Sequence, residues 1–390
     1  MNLTAMQEAI RKYDVDGWLF FDHHRRDPLA YRILGLPAQL QPTRRWYYLV
    51  PAQGNPRKLV HKIESHSLDA VPGDTRSYSR WMEQQEELTA LLAGMKRVCM
   101  EYSENCAIPY VSLVDAGTIE LIRACGVEVV SSSDLVQQFE ARWTEAQLQS
   151  HLESGKRMDR LRTSAFAMIS EKLRNGVSVD EYEVQRFLLN GYKENDLITD
   201  HGPIVAVNAN ASDPHYEPGP DKRMPIRKGD FVLIDMWSKL TAPDSVYYDI
   251  TWSGYCGSSV PAEITNVFDV VRGAREAACQ MVIDSISAKR PIRGFEVDDV
   301  SRGYIAERGF GDYFIHRTGH SIGTEVHGTG ANIDNFETHD TRAIIPWTCF
   351  SIEPGVYLPN FGIRSEVNMF IGDSEARVTG EAQTRLLTLA

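Results

Sequence analysis

The stretch His316-Arg317-Thr318-Gly319-His320-Ser321-Ile322-Gly323 decides how this chain is read. It sets the imidazole of His320 among glycines, where a backbone turns sharply or closely approaches a neighbour. His327 follows, with Gly328 and Gly330 beside it. Working outward, acids end apolar runs on both flanks. Upstream, FVLID (231–235) ends in Asp235 and VYYD (246–249) in Asp249. Downstream, SIEPG (351–355) carries Glu353 and RSEV (364–367) carries Glu366. One imidazole and four carboxylates make an oxygen-rich donor set. It suits two neighbouring divalent ions better than one tetrahedral zinc, because carboxylates bridge and five ligands are too many for four positions. If these side chains converge, they are the ligands of a two-metal hydrolase.

Each residue also has a blander reading. A carboxylate ending a buried strand is costly unless paired or metal-bound, but Asp235 and Asp249 could be solvent-exposed strand ends. The two aspartates flank a turn at Thr241-Ala242-Pro243-Asp244, and a hairpin there sets them side by side on adjacent strands. Like charges that close favour a cation between them. His316, His320 and His327 read either as a functional cluster or as satisfied histidines in a polar loop. In GIRSEVNMF (362–370), alternation puts Arg364 and Glu366 on one strand face, where the arginine either orients acids or forms a minor surface pair. His215 sits in the loop NANASDPHYEPG (208–219) and is weak evidence alone.

The chain has 390 residues, enough for two domains, and 43% apolar with 24% charged residues marks an ordinary globular protein. A net charge of -12 disfavours nucleic acid and anionic membranes as general partners, leaving room for a local basic patch. No apolar run spans a bilayer, and the N-terminus reads as an amphipathic helix carrying Leu3, Met6 and Ile10 rather than a secretory signal. Six scattered cysteines without framework spacing suit a reduced, cytoplasmic setting.

Residues 1–140 alternate strand patterns (DGWLFFD, RRWYYLV, VEVVS) with helical ones (EELTALLAGM, SLVDAGTIELIRAC), which predicts a small α/β domain with a parallel or mixed sheet. A boundary falls near SSSDLVQQFEARWT, so the second domain spans 141–390. Thr144 with Gln147 reads as a capping box opening a long helix that stops at Asn175-Gly176, and Ser178 with Glu181 reads as a second cap. Strands, a long helix from Pro261, one more helix and further strands follow. Two helices before ligand-bearing strands, twice over, is a weak internal duplication.

Together these segments resemble the pita-bread metallopeptidase family, which includes aminopeptidase P, prolidase, methionine aminopeptidase and the metal-free creatinase. The likeness rests on the order Asp, Asp, His, Glu, Glu and on the strings HRTGHSIG, SIEPG and GIRSE, and it covers about 142 to the C-terminus. The N-terminal α/β domain looks like that of the prolidase and aminopeptidase P branch. The resemblance implies an α+β chain in which Asp235, Asp249, His320, Glu353 and Glu366 hold two divalent ions with a bridging hydroxide. Manganese comes first, with cobalt, zinc or iron also accepted. It further implies that His327 stabilises the tetrahedral intermediate, that His215 contacts the scissile carbonyl or the proline side, that Glu353 passes a proton to the leaving amine, that His316 lines the pocket and that Arg364 braces the metal acids. Arg317, outside the family pattern, reads as binding a substrate carboxylate or narrowing the entrance. The implied reaction is hydrolysis of Xaa-Pro bonds in dipeptides or small peptides. A metal-dependent lyase or creatinase-like amidinohydrolase on the same scaffold is the alternative, and a binding pseudoenzyme a further one. Relatives are commonly homodimers in which an N-terminal domain approaches the neighbour's pocket. His23-His24-Arg25-Arg26 is a candidate for that contact or a solvated loop. This chain departs from the pattern in a longer Asp235–Asp249 separation, in Trp237 where a glycine is usual, in Trp252 where an arginine is usual, and in Arg317 where a small residue is common. These departures leave the substrate open.

Overall fold

The structure, a computed structural model, describes residues 1–389 and divides into two compact units, Met1–Glu140 and a second from Ala141 onward. Strands of the first unit are β1 (Gly17–Asp22), β2 (Trp46–Pro51), β3 (Arg57–His61), β4 (Asp74–Tyr78), β5 (Arg97–Met100) and β6 (Glu128–Ser131). They form one mixed sheet in the order β4-β3-β2-β1-β5-β6, in which β1 pairs antiparallel with β2 and parallel with β5. The helices are α1 (Leu3–Lys12), α2 (Pro28–Leu34), α3 (Trp81–Leu91), α4 (Ala116–Ala124) and the short α5 (Ser133–Val136). β1 and β2 are buried along their whole length because both sheet faces are covered. Trp18, Phe20, Trp46 and Tyr48 pack on one side; Leu19, Phe21, Tyr47 and Leu49 pack on the other.

The second unit opens with α6 (Glu145–Arg174). Thr144 caps it as the sequence predicts: its hydroxyl accepts from Gln147 N while the Gln147 side chain accepts from Thr144 N. The next helix, α7 (Glu181–Glu194), corrects the expected cap. Asp180, not Ser178, accepts from Glu183 N. Glu181 is instead buried, and its carboxylate gathers Val207 N, Asn210 Nδ2, Tyr216 OH and Met224 N. It therefore ties down the loop that carries His215.

β7 (Leu197–Ile198), β8 (Ile204–Val207), β9 (Phe231–Leu240) and β10 (Tyr248–Tyr255) follow. Then come α8 (Ala262–Ser287) and α9 (Gly294–Ala306), and after them β11 (Ser321–Ile322), β12 (Thr348–Ile352), β13 (Gly355–Leu358), β14 (Phe361–Arg364), β15 (Val367–Ile371), β16 (Ala376–Thr379) and β17 (Leu387–Thr388). One sheet runs β17-β10-β9-β7 with β8 also on β9; another runs β11-β12-β15-β16; β13 and β14 form a hairpin. Met158, Ile169 and Val184 of α6 and α7 pack on Ile234 and Ile250 of the first sheet. Val282 and Val297 of α8 and α9 pack on Ile352 and Met369 of the second. Each helix pair thus covers one mainly antiparallel sheet and leaves its other face to line a site. No helix among the described residues is long and apolar enough to cross a membrane.

Candidate active site

β9 and β10 pair antiparallel, and the register corrects the expectation of side-by-side aspartates. Thr251 lies opposite Asp235, and Trp237 lies opposite Asp249. The two acids share a face but sit diagonally, because the register centres the hairpin at 243, one residue past the point midway between them. Thr251 is put to use in the gap. Its hydroxyl donates to Glu366 Oε2 at 2.8 Å and accepts from Arg364 Nε at 3.2 Å.

His320 enters from the segment before β11. Gly319 makes this approach feasible: it bridges Ile333, and a Cβ there would lie 1.9 Å from the Ser351 carbonyl oxygen. The Ser351 hydroxyl accepts from His320 N at 2.9 Å and donates to Glu353 Oε1 at 3.0 Å, so one small side chain orients two candidate ligands. Glu353 lies just past the end of β12, with its N–H on the Thr318 carbonyl. Glu366 bridges β14 and β15, fully buried.

Asp249, His320 and Glu366 each offer a ligand atom, and these atoms lie within 4.8 Å of one another. His320 Nε2 is 3.6 Å from Asp249 Oδ2 and 3.3 Å from Glu353 Oε1. The other ring nitrogen, Nδ1, faces the Ser321 carbonyl at 3.2 Å. A carbonyl only accepts, so the proton belongs on Nδ1 and Nε2 is left as a bare lone pair toward the acids. Asp235 bonds Arg364 Nη2, and Arg364 Nε also approaches Glu353 Oε2 at 3.8 Å. Tyr357 OH accepts from Arg364 Nη1 at 2.8 Å and lies 2.7 Å from His316 Nε2, fixing both.

This donor set demands positive charge. Burial, reinforced by Asp235 and Glu353, pushes the Asp249 carboxyl well above its usual range. Burial, reinforced by Asp249, does the same to Glu366. Glu353 is pushed up to about 7 by burial, with Arg364 opposing. Burial, then His327 and Arg317, holds His320 well below the ordinary imidazole value. Burial, then Arg364, lowers His316 to about 3. Asp235 Oδ1, Asp249 Oδ1 and Glu366 Oε1 are buried without a hydrogen-bond partner. Unpartnered buried carboxylate oxygens are expensive. Facing a bare imidazole nitrogen, they have the chemistry of divalent-cation ligands, so the residues present fit the ions that the donor set implies.

All ten residues singled out in the sequence line one cavity of about 760 Å³: His215, Asp235, Asp249, His316, Arg317, His320, His327, Glu353, Arg364 and Glu366. His327 stacks edge-on to His320 with ring centroids 4.4 Å apart. His215 stays exposed on its loop, at the pocket wall rather than among the acids. Sequence reasoning missed Ser351, Thr251 and Tyr357, which hold the ligand side chains in place. It also missed Asp200, which lines the pocket and accepts the Trp237 indole N–H at 2.8 Å. Ser351 carried a signal, since it lies two residues before Glu353 on one strand face. Tyr357 carried none, being one more aromatic in an apolar run.

Comparison with known proteins adds to this geometry. The model of metallopeptidase family M24 matches residues 150–373, more than half of the chain. An Xaa-Pro dipeptidase from Lactobacillus delbrueckii is 32% identical over 239 residues, 60% of this chain and 58% of that protein. An Xaa-Pro dipeptidase from Pyrococcus furiosus is 30% identical over 185 residues, 47% of this chain and 48% of that protein. The matched stretch thus spans roughly half the length of these relatives. Among solved structures, dipeptidase PepE from Mycobacterium ulcerans superposes with a TM-score of 0.69 at 21% identity, covering 99% of this chain and 96% of that one. A prolidase from Thermococcus sibiricus gives 0.64 at 21% identity, covering 99% and 98%. These structural likenesses carry the fold alone: a small α/β unit followed by a pita-bread domain.

Proposed function

Because this chain belongs to metallopeptidase family M24, which implies divalent metal ions, we propose that it hydrolyses Xaa-Pro bonds, with dipeptides as its substrates. The observation that carries this reading is the set of buried, unpartnered carboxylate oxygens grouped with the bare Nε2 of His320. In this reading Asp235, Asp249, His320, Glu353 and Glu366 hold two ions, manganese first. When bound, such ions polarise a scissile carbonyl and supply a water-derived nucleophile at neutral pH.

The chain's own groups do the rest. His327 and His215 present imidazole N–H groups to the carbonyl oxygen as it gains charge, and one such donor is typically worth about 3 kcal/mol. Glu353 carries a proton to the leaving nitrogen, which in proline has no hydrogen of its own and departs only once protonated. Ser351 and Arg364 hold the two Glu353 oxygens for that transfer. Arg317 takes the substrate carboxylate, an end group that a guanidinium fork matches, and His316 lines the pocket beside it. Arg364 braces Asp235, and its positive charge offsets part of the acid cluster. We further place the protein in the cytoplasm as a homodimer; its six cysteines are all free, which fits a reducing compartment.

The test is turnover of manganese-loaded protein on a panel of Xaa-Pro dipeptides, an Xaa-Pro tripeptide and a proline-free dipeptide. The expected result is cleavage confined to the Xaa-Pro dipeptides and abolished by chelation. No cleavage of any member, with metal bound, would refute the peptidase reading and move the reaction to non-peptide chemistry on this scaffold.

A further inference from the structure

The N-terminal unit contains a cavity of its own, about 520 Å³, with a composition opposite to that of the whole chain. In a protein of net charge -12, its wall carries Arg26, Arg44, Arg45, His23 and His61. The one acid on the wall, Asp115, is already engaged: its carboxylate caps α4, accepting from Thr118 N at 3.0 Å and from the Thr118 hydroxyl at 2.9 Å. Among the described residues, no ion pair uses Arg26, Arg44 or Arg45. The field of Arg26 and Arg45 reaches His23, whose imidazole is lowered by burial and then by His24, Arg26 and Arg45.

Arg26 is presented by a strained turn, while Arg44 and Arg45 come from the segment just before β2. His24 and Arg25 are left-handed, at φ 62° and 55°, which bulky residues rarely adopt. The Asp22 carboxylate holds the turn by accepting from Arg25 N at 2.8 Å, Arg26 N at 2.6 Å and Asp27 N at 3.1 Å. The turn splits the His-His-Arg-Arg run. Arg25 leaves the cavity to bond the Ala38 and Leu40 carbonyls, while His23 and Arg26 line it. Beside the cationic wall stands Trp81, 65% exposed, an indole face left open on the cavity rim.

We propose that this cavity binds a small phosphorylated molecule with a planar ring, its phosphate on Arg26, Arg44 and Arg45 and its ring on Trp81. A carboxylate fills one guanidinium fork, whereas a phosphate dianion offers acceptors to several at once. The volume lies in the range of small-ligand pockets. A single walled cavity on an acidic protein lacks the extended basic track that a nucleic-acid backbone needs.

The experiment uses the full-length, manganese-loaded protein and adenosine monophosphate as the probe, followed by equilibrium dialysis and tryptophan fluorescence. Adenosine, inorganic phosphate and citrate serve as comparisons. The expected result is saturable binding of the nucleotide, competed by inorganic phosphate and at least tenfold tighter than adenosine or citrate. Arg26→Gln with Arg44→Gln, both exposed side chains, weakens it at least tenfold with an unchanged melting temperature. Trp81→Ala weakens nucleotide binding but not phosphate binding. The proposal is overturned by the absence of saturable binding up to ~10 mM, by equal binding of citrate, or by undiminished binding to the arginine variant when that variant is folded.

Discussion

Asp249→Asn separates the metal-binding reading from a purely structural one, because the two predict opposite signs. In the metal-free protein, Asp249 and Glu366 offer oxygens no more than 4.8 Å apart. At an effective dielectric of 20, two full charges at that distance repel by about 3.5 kcal/mol. Proton uptake already relieves part of this repulsion in the wild type, so neutralising one partner should stabilise the metal-free protein by about 1–3 kcal/mol. The new amide N–H can also reach an oxygen that now has no donor, Glu366 Oε1. At about 2–4 °C per kcal/mol for a unit of this size, calorimetry in chelator resolves the shift. Manganese should then raise the melting temperature of the wild type and leave the variant unmoved. A metal-free variant that melts below the wild type and still gains from manganese would refute both the repulsion and the ligand role.

Further outcomes are expected elsewhere. His327→Ala should keep its metal content, measured by elemental analysis, while kcat/KM falls about 100- to 1000-fold; release of the metal instead would reassign His327. Gly319→Ala should cost about 3 kcal/mol or more in urea unfolding, because its Cβ would lie 1.9 Å from the Ser351 carbonyl oxygen. A well-folded variant with full metal content would show that the approach is not tight. His151 is fully buried between the Tyr247 carbonyl and the Thr379 hydroxyl, and burial lowers its imidazole to about 4. The unfolded chain binds that proton near pH 6.5, so stability is full above about 6.5, falls as pH drops toward 4, and is lower by about 2 kcal/mol at pH 5. His151→Gln should flatten that difference in paired melts at pH ~7 and ~5; an equal loss in both proteins would deny the burial argument.

The parts of the site that the sequence made legible are those in which chemistry interrupts a pattern. Asp235 and Asp249 stand out because a charge ends an apolar run, and His320 because glycines surround it. The capping box at Thr144 was readable because both of its halves are local. What escaped is non-local. Tyr357 reaches His316 across 41 positions, and Thr251 reaches Glu366 across 115, through partners that no periodicity announces. The diagonal offset of the aspartates depends on strand register, and the turn residues alone do not fix which pairs face one another. The cap at Asp180 was misplaced because Ser178 and Glu181 imitate a capping box, while the buried loop contacts of Glu181 outweigh that local preference.

The Ser351 hydroxyl, shared by the His320 backbone and the Glu353 carboxylate, makes these two groups a mechanical unit. Tilting one drags the other, and both sit on chain segments far in sequence from the β9–β10 acids. An unfolded chain therefore has nothing like this nest of donors to compete for an ion. Every bound cation becomes a weight on the native side of the balance, and the heat resistance of the C-terminal unit should climb with the logarithm of free metal. A culture starved of trace metal would then lose this protein by unfolding and clearance as well as by loss of turnover.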